Sequence, residues 1–211
     1  SKFGKTCMSK NKIKGANLCK KKNADLLILD DGLQSKNLKK NVSILVIDGN
    51  YMFGNQRLLP AGPLRETIKR SIETCDVILI IGNTKLNEED FIFMNKKIFF
   101  AKKIMKIKNL KSKNLIAFSG LGNNENFLNG LENLGLNVKK FFEFSDHHKY
   151  ELGEIQKILD IAKNKKLSVV TTMKDFVRVP NQLKKKINIV DLKIKIANES
   201  GFFDYISKRL L

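Results

Sequence analysis

Short apolar runs that alternate with helical patterns confine this chain to a mostly parallel α/β fold. The runs expected as strands are 25–29, 43–47, 77–81, 98–101, 115–118, 136–142, 167–172, 187–190 and 192–196. Between them, Phe127, Leu128, Leu131 and Leu134 share one face of 123–134. Leu152, Ile155, Ile158, Leu159 and Ile161 recur at helical spacing over 150–163. Core packing accounts for both stripes without any function. Phe202, Phe203, Tyr205, Ile206 and Leu210 predict a terminal amphipathic helix over 198–211, which docks on the sheet or, as the less favoured alternative, faces a membrane.

Chemistry concentrates where the first run ends. Leu26 to Leu29 lead into Asp30-Asp31-Gly32-Leu33-Gln34. A short apolar run of this kind reads as a buried strand of a parallel sheet, and ligands bind at the carboxyl ends of such strands. Adjacent carboxylates repel one another, so keeping both ionised calls for a cation, and Mg²⁺ with a phosphate is the usual one. Ordinary turn chemistry or a helix cap explains an Asp-Gly pair equally well. Gln34, one turn on, is placed to orient a water or a phosphate, or is a surface hydrogen-bonding residue.

Composition bounds the alternatives. The chain has 211 residues, 42% of them hydrophobic and 29% charged, which is the profile of a globular protein with a real core. No stretch approaches the roughly 18 apolar residues of a membrane span, and Lys2, Lys5 and Lys10 precede no apolar segment of a secretory signal. Cys7, Cys19 and Cys75 lack metal-ligand spacing and read as free thiols. The formal net charge is +19, yet only five arginines contribute (Arg57, Arg65, Arg70, Arg178 and Arg209). The lysines are scattered, and no recognisable nucleic-acid-binding module accompanies them. Solvated surface with compositional bias is one reading of that charge. Attraction to an anionic membrane, at about 1 kcal/mol per nearby lysine, is a second.

Two further segments carry polar side chains suited to a site. Residues 49–66 are broken by Gly49, Gly54, Pro60, Gly62 and Pro63, which excludes a long helix or a central strand. A long loop of this sort in an α/β domain is usually functional. Arg65 has the planar fork that grips phosphate oxygens, and the adjacent Glu66 is placed to hold that guanidinium. The alternative is an exposed ion pair. Asn55 either bonds a substrate or turns the chain. His147 and His148, the only histidines, follow Asp146. Neutral imidazole is the commonest general base near pH 7, and Asp146 is placed to orient it, unless the pair is merely solvated. Thr171, Thr172, Lys174 and Asp175 lie at a strand-to-helix junction that suits anion binding or simple capping.

Taken in order, several motifs resemble one family. They are Asp30-Asp31-Gly32, Leu58-Leu59-Pro60-Ala61-Gly62-Pro63-Leu64-Arg65-Glu66, Phe118-Ser119-Gly120-Leu121-Gly122-Asn123, Asp146-His147-His148 and Thr171-Thr172-Met173-Lys174-Asp175. Their order is similar to that of the tetraacyldisaccharide 4'-kinases, the lipid A 4'-kinases, from about Asp25 to Arg178. That resemblance implies ATP and Mg²⁺ as cofactors and a lipid A disaccharide 1-phosphate as substrate. It also implies work at the cytoplasmic face of a bacterial inner membrane. It assigns Asp30 and Asp31 to the active site and His147 to activation of the 4'-hydroxyl. Two positions depart from the family pattern. Ser35 stands where a His usually follows the Gln, and Met173 stands in place of a Glu.

The resemblance implies an incomplete P-loop-kinase-like sheet with a second, smaller α/β domain. The expected divisions are 1–101, a lysine-rich boundary at 102–114, a second domain at 115–197 and a helix at 198–211. Gly4-Lys5-Thr6 imitates the tail of a phosphate-binding loop, but no strand precedes it. The P-loop and the aspartate partner of the base are therefore expected outside these residues. Two other readings stay open: a non-catalytic fragment that binds a lipid headgroup, and a basic nucleic-acid-binding protein. They separate by titration. DNA association through scattered lysines is expected to be weak, sequence-independent and steeply salt-dependent. Vesicles carrying the disaccharide 1-phosphate are expected to bind in preference to matched anionic vesicles. Tight, salt-resistant DNA binding without lipid preference would favour the nucleic-acid reading.

Overall fold

The computed structural model describes residues 4–84, 95–107, 110–122 and 124–210. It divides into two compact units, one of residues 1–102 with 195–211 and the other of residues 103–194. The chain leaves the first unit within one strand and returns within another.

The first unit holds a helix α1 (Lys12–Lys21) and a parallel sheet. Its strands are β1 (Ile44–Asp48), β2 (Val77–Ile81) and the start of β3 (Lys97–Ile107), in the order β1-β2-β3. Ile44 lies opposite Val77, and Val77 opposite Lys97. Val77, Ile78 and Ile80 are wholly buried, as expected of a central strand with cover on both faces. Alternation along β2 sends Ile78 and Ile80 to one face, where Met52, Phe53 and Leu33 pack. Val77 and Leu79 go to the other face, where the last helix, α6 (Glu199–Leu210), inserts Phe202 edge-on to Phe99, their centroids 5.1 Å apart. The terminal helix therefore docks on the sheet. A short helix, α2 (Ile68–Thr74), starts at the Thr67 cap and leads into β2.

The second unit is built round β4 (Asn114–Ser119), whose last five residues are all buried. It pairs in parallel with β5 (Asn137–Glu143) on one side and β6 (Ser168–Thr172) on the other, and β7 (Asn188–Ile196) follows β6. Helix α3 (Glu125–Asn133) turns Phe127 and Leu131 inward against Leu115 and Ala117. Helix α4 (Leu152–Asn164) presents Ile155, Ile158, Leu159 and Ala162 to Ile116 and Phe118. Its first turn is closed by a reciprocal capping box between Glu151 and Glu154. After β6 come a one-turn helix, α5 (Met173–Phe176), and a 3₁₀ helix (Asn181–Lys186).

The sequence expectation fails at 25–29. Residues 26–29 form no strand, and Leu26 and Ile28 are 59% and 89% exposed. A strand needs a neighbour to accept its ladder hydrogen bonds, and no described strand pairs with this run. Asp30 and Asp31 therefore follow a segment outside the sheet, not the end of a sheet strand. The lysine-rich stretch expected as a boundary begins inside β3, which runs on to Ile107. Helix α1 was not expected, since none of its residues is buried and it carries no apolar stripe. Its signals are polar: Asn11 accepts from the backbone of Ile13 and Lys14, and Lys20 and Lys21 occupy the last turn.

Helix α4 separates burial from mere helix content. Ile158→Ala is expected to destabilise the second unit by about 2–5 kcal/mol through its cavity, and Leu152→Ala, half exposed, by under ~1 kcal/mol. Urea unfolding followed by circular dichroism checks this. Equal midpoints for the two variants would mean that the stripe is not the core face.

Candidate active site

The first cluster lies in the first unit, where cations hold the Asp-Asp-Gly turn. Lys12 of α1 donates to the main-chain carbonyls of Asp30 and Asp31. Lys40 donates to those of Gly32, Leu33 and Ser35 at 3.2, 3.1 and 2.8 Å. Asp31 has φ +51°, a left-handed conformation that an aspartate tolerates better than most residues. Its Oδ2 accepts a 2.7 Å hydrogen bond from Arg65 Nη1. Both side chains are largely exposed, 61% for Arg65 and 68% for Asp31. Such a pair contributes at most about 1 kcal/mol to stability, so its consequence is positional.

Loop geometry delivers Arg65 to that place. Asn55 Oδ1 accepts from Arg57 N at 3.1 Å, and Asn55 Nδ2 donates to Ala61 O at 2.9 Å. Leu59 N donates to Leu64 O at 2.8 Å and Leu64 N to Arg57 O at 3.1 Å, closing the proline-rich turn on itself. Gly62 is required there, since a Cβ would run into Asn55 Oδ1 and the Arg57 carbonyl. Both ends of the Asn55 amide are thus engaged in the turn. Glu66 does not hold Arg65. Its carboxylate accepts from Ser71 Oγ at 3.0 Å and pairs with Arg70 Nε at 3.6 Å. Glu66 and Arg70 lie four residues apart across the start of α2, and Arg65 reaches Asp31 instead. Gln34 is exposed and lines an open cleft of about 500 Å³ with Lys12, Ser35 and Lys36.

Metal chemistry at this cluster is limited to Asp30 and Asp31. Among the described residues no group of three or more His, Cys, Asp or Glu side chains is arranged for a metal ion. Mg²⁺ usually keeps several waters and takes one or two carboxylates plus substrate phosphate. The two carboxylates fit an ion delivered with a nucleotide, and they do not make a protein-only cage.

The second cluster lies in the second unit, on the turn after β5 and on α5. His147 has φ +63°, and its main-chain N–H donates to Asp146 Oδ1 at 3.0 Å. Non-glycine residues in this region carry strain of order 1 kcal/mol or more and persist where the surroundings fix them. Lys174 Nζ also donates to Asp146 Oδ1, at 3.0 Å. That hydrogen bond from Lys174 is the main reason the Asp146 carboxyl titrates below its ordinary range. Asp146 Oδ2 stands 3.7 Å from His147 Nε2, too far for a hydrogen bond. Arg178 Nη2 is 3.2 Å from His147 Nδ1. His148 turns away. Its Nε2 meets Glu154 Oε2 at 3.0 Å, holding the Glu154 carboxyl below its ordinary range, and its ring packs on Phe144.

Behind Arg178 sits Asp175, with none of its side chain exposed. Its Oδ1 accepts from Tyr150 Oη at 2.9 Å and from Gly120 N at 3.2 Å, and its Oδ2 accepts from Thr172 Oγ1 at 2.6 Å. Burial, then the neighbouring Asp175 charge, pushes the Tyr150 hydroxyl far above its ordinary range, so it remains a donor. Thr172 caps α5 through Asp175 N, one of the two readings open for this junction. Sequence reasoning missed Arg178 and the buried role of Asp175. The available signal was their i,i+3 spacing, with Asp175 on α5 and Arg178 in the turn that follows it. The structure thus gathers Asp31 with Arg65 in one unit and Asp146, His147 and Lys174 in the other.

Removing the Lys174 ammonium tests the electrostatics of the turn. In Lys174→Ala the Asp146 titration midpoint is expected to rise toward the ordinary aspartate value of 3.8, as read by carboxyl NMR. The sign follows because the pair favours the charged carboxylate. Whatever it adds to stability is present above the unfolded pKa and is lost as pH falls through the depressed folded value. An unmoved midpoint would remove Lys174 as the cause.

A profile of the family described as "LpxK: Tetraacyldisaccharide-1-P 4'-kinase" matches residues 2–211. The tetraacyldisaccharide 4'-kinase of Rickettsia akari is 31% identical over 99% of this chain and 64% of its own length. That of Rhodospirillum rubrum is also 31% identical, over 97% of this chain and 63% of its own. The crystal structure of the "apo" form of LpxK from Aquifex aeolicus in complex with ATP superposes with a TM-score of 0.70 at 28% identity. It covers 94% of this chain and 62% of that one. The chain therefore spans a little under two thirds of the length of these relatives. On the match over residues 2–211, it belongs to the tetraacyldisaccharide-1-P 4'-kinase family.

Proposed function

We propose that these residues serve an ATP-dependent transfer of phosphate to the 4'-hydroxyl of a tetraacyldisaccharide 1-phosphate, a step of lipid A assembly. The family match over residues 2–211 carries this reading. In the transfer, the acceptor oxygen bonds to the γ-phosphorus of ATP, the bond to the β-phosphate oxygen breaks, and the hydroxyl proton must go to a base. His147 is the group in the second unit suited to take that proton, and its exposure leaves it accessible. Arg65 is suited to stabilise charge on the transferring phosphoryl oxygens, and Asp31 aims it. Asp30 and Asp31 would hold Mg²⁺, which when bound neutralises phosphate charge. Gln34 stands beside them as a polar contact for phosphate or water. In place of the clamp on Arg65, Glu66 anchors α2 through Arg70 and Ser71.

The substrate is an anionic lipid, and the site of work we propose is the cytoplasmic face of a bacterial inner membrane. Net charge of +19 favours association with that surface. Among the described residues no helix is long and apolar enough to cross a membrane.

The test uses these residues joined to the further stretch that their relatives possess. His147→Ala is expected to lower kcat by about 10²–10⁴-fold with little change in KM for ATP. Asp30→Ala and Asp31→Ala are expected to shift the Mg²⁺ dependence instead. His148→Ala is expected to be much milder in kcat, since its ring faces Glu154. A near-normal kcat in His147→Ala would remove the base assignment, and equal losses at both histidines would point to folding.

A further inference from the structure

The contact between Arg178 and His147 carries more than proximity. A guanidinium has five N–H donors and no acceptor, so the 3.2 Å contact between Arg178 Nη2 and His147 Nδ1 has only one polarity. Nδ1 must bear the lone pair. A neutral imidazole has one N–H and one lone pair, so the proton then sits on Nε2. That assignment follows from the partner and not from a choice of hydrogen placement.

Arg178 is itself held. Its side chain is 19% exposed, whereas that of His147 is 72% exposed. Its Nη1 lies 3.6 Å from Asp175 Oδ1, and its main-chain N–H donates to Asp175 O at 2.9 Å. Asp175 is in turn fixed by Tyr150, Gly120 and Thr172. Among the described residues, Arg178 Nη1 is buried without a hydrogen-bond partner. The guanidinium is thus anchored by charge on one side and offers Nη2 to His147 on the other.

We infer that Arg178 is a positioning residue that fixes His147 in its Nε2–H form, with Nδ1 as the only atom able to accept a proton. Asp175 sets Arg178, and through it the ring. Asp146 faces Nε2 at 3.7 Å and supplies no competing donor to Nδ1. The consequence for catalysis rests on His147 being the base: an incoming hydroxyl must then take the place of Arg178 at Nδ1. A base acting through Nε2 would need the opposite tautomer, which Arg178 opposes.

Ring ¹⁵N NMR of the 211-residue chain, at a pH where the imidazoles are neutral, reads this directly, and with two histidines assignment is simple. The wild-type His147 is expected to show a protonated Nε2 and a bare Nδ1, well separated in shift. Arg178→Met, which keeps a stem but removes every donor, is expected to let the tautomers mix and draw the two resonances toward each other. Asp175→Asn is expected to do the same to a smaller extent. His148 is the internal control, since its Nε2 faces Glu154 and its pair of resonances should not move. A protonated Nδ1 in the wild type overturns the inference. So does an unmoved His147 pair in Arg178→Met. If Arg178→Met disturbs the fold, His148 shifts with it, and the wild-type spectrum and Asp175→Asn still decide. Full activity of His147→Ala in the longer protein would defeat the base reading while leaving the tautomer result intact.

Discussion

The second unit depends on one buried carboxylate. Asp175 gathers a hydroxyl from the turn before α4, a main-chain N–H from the end of β4, a hydroxyl from the end of β6 and the charge of Arg178. An ionised carboxylate taken out of water is costly unless its lone pairs are filled, and leaving one partner out costs more than the bond itself contributes. These four segments therefore have little freedom to rearrange separately. Gly120 shows how tight the arrangement is, because a Cβ there would meet the Ser145 carbonyl. The same carboxylate that closes the core also orients Arg178, so packing and the geometry at His147 are one problem.

Among the described residues, no buried carboxylate stands behind the first cluster. Asp31 and Arg65 meet in solvent, and the turn that carries Asp31 is held by lysine ammonium groups on carbonyl oxygens. This use of lysine recurs. Lys96 donates to Cys75 O at 2.6 Å and Lys184 to Val177 O at 3.3 Å. Part of the chain's large positive charge therefore terminates carbonyls that no helix or strand satisfies, which is a structural use of lysine. What remains at the surface is available for attraction to anionic lipid. A turn clamped by single flexible side chains adjusts more readily than one tied to a buried carboxylate. That difference suits a cluster whose proposed ligands are a phosphate and an ion, against one whose proposed work is to aim a ring.

Periodicity made the core legible. Phe127 and Leu131, and Ile155, Ile158 and Leu159, are buried on the faces that their spacing marked, because a helix stripe has to meet a sheet. Strands β1, β2, β4, β5 and β6 lie within a residue or two of their apolar runs. The two runs at 187–190 and 192–196 proved to be one strand, β7, since the polar Asp191 between them does not interrupt a backbone ladder. The run at 25–29 failed for a reason that sequence alone does not hold. An apolar segment says what wants burial, but the neighbour that would bury it is a property of the whole assembly.

Site residues divide along the same line. Asp31, Arg65 and His147 are recognisable as types that bind or move charge, and motif order marked them. Their partners were less visible. Glu66 looks like the natural clamp for Arg65 because it is adjacent in sequence, yet its carboxylate meets Ser71 and Arg70. Asp31, 34 residues earlier, is the one that meets Arg65. Arg178 stands 31 residues after His147 and carried no motif of its own. Its importance arises from having nowhere to accept a hydrogen bond, a property of guanidinium chemistry that becomes informative only when a ring nitrogen is placed before it. Residue type states what a side chain is able to do, and the partner decides which of those abilities is exercised.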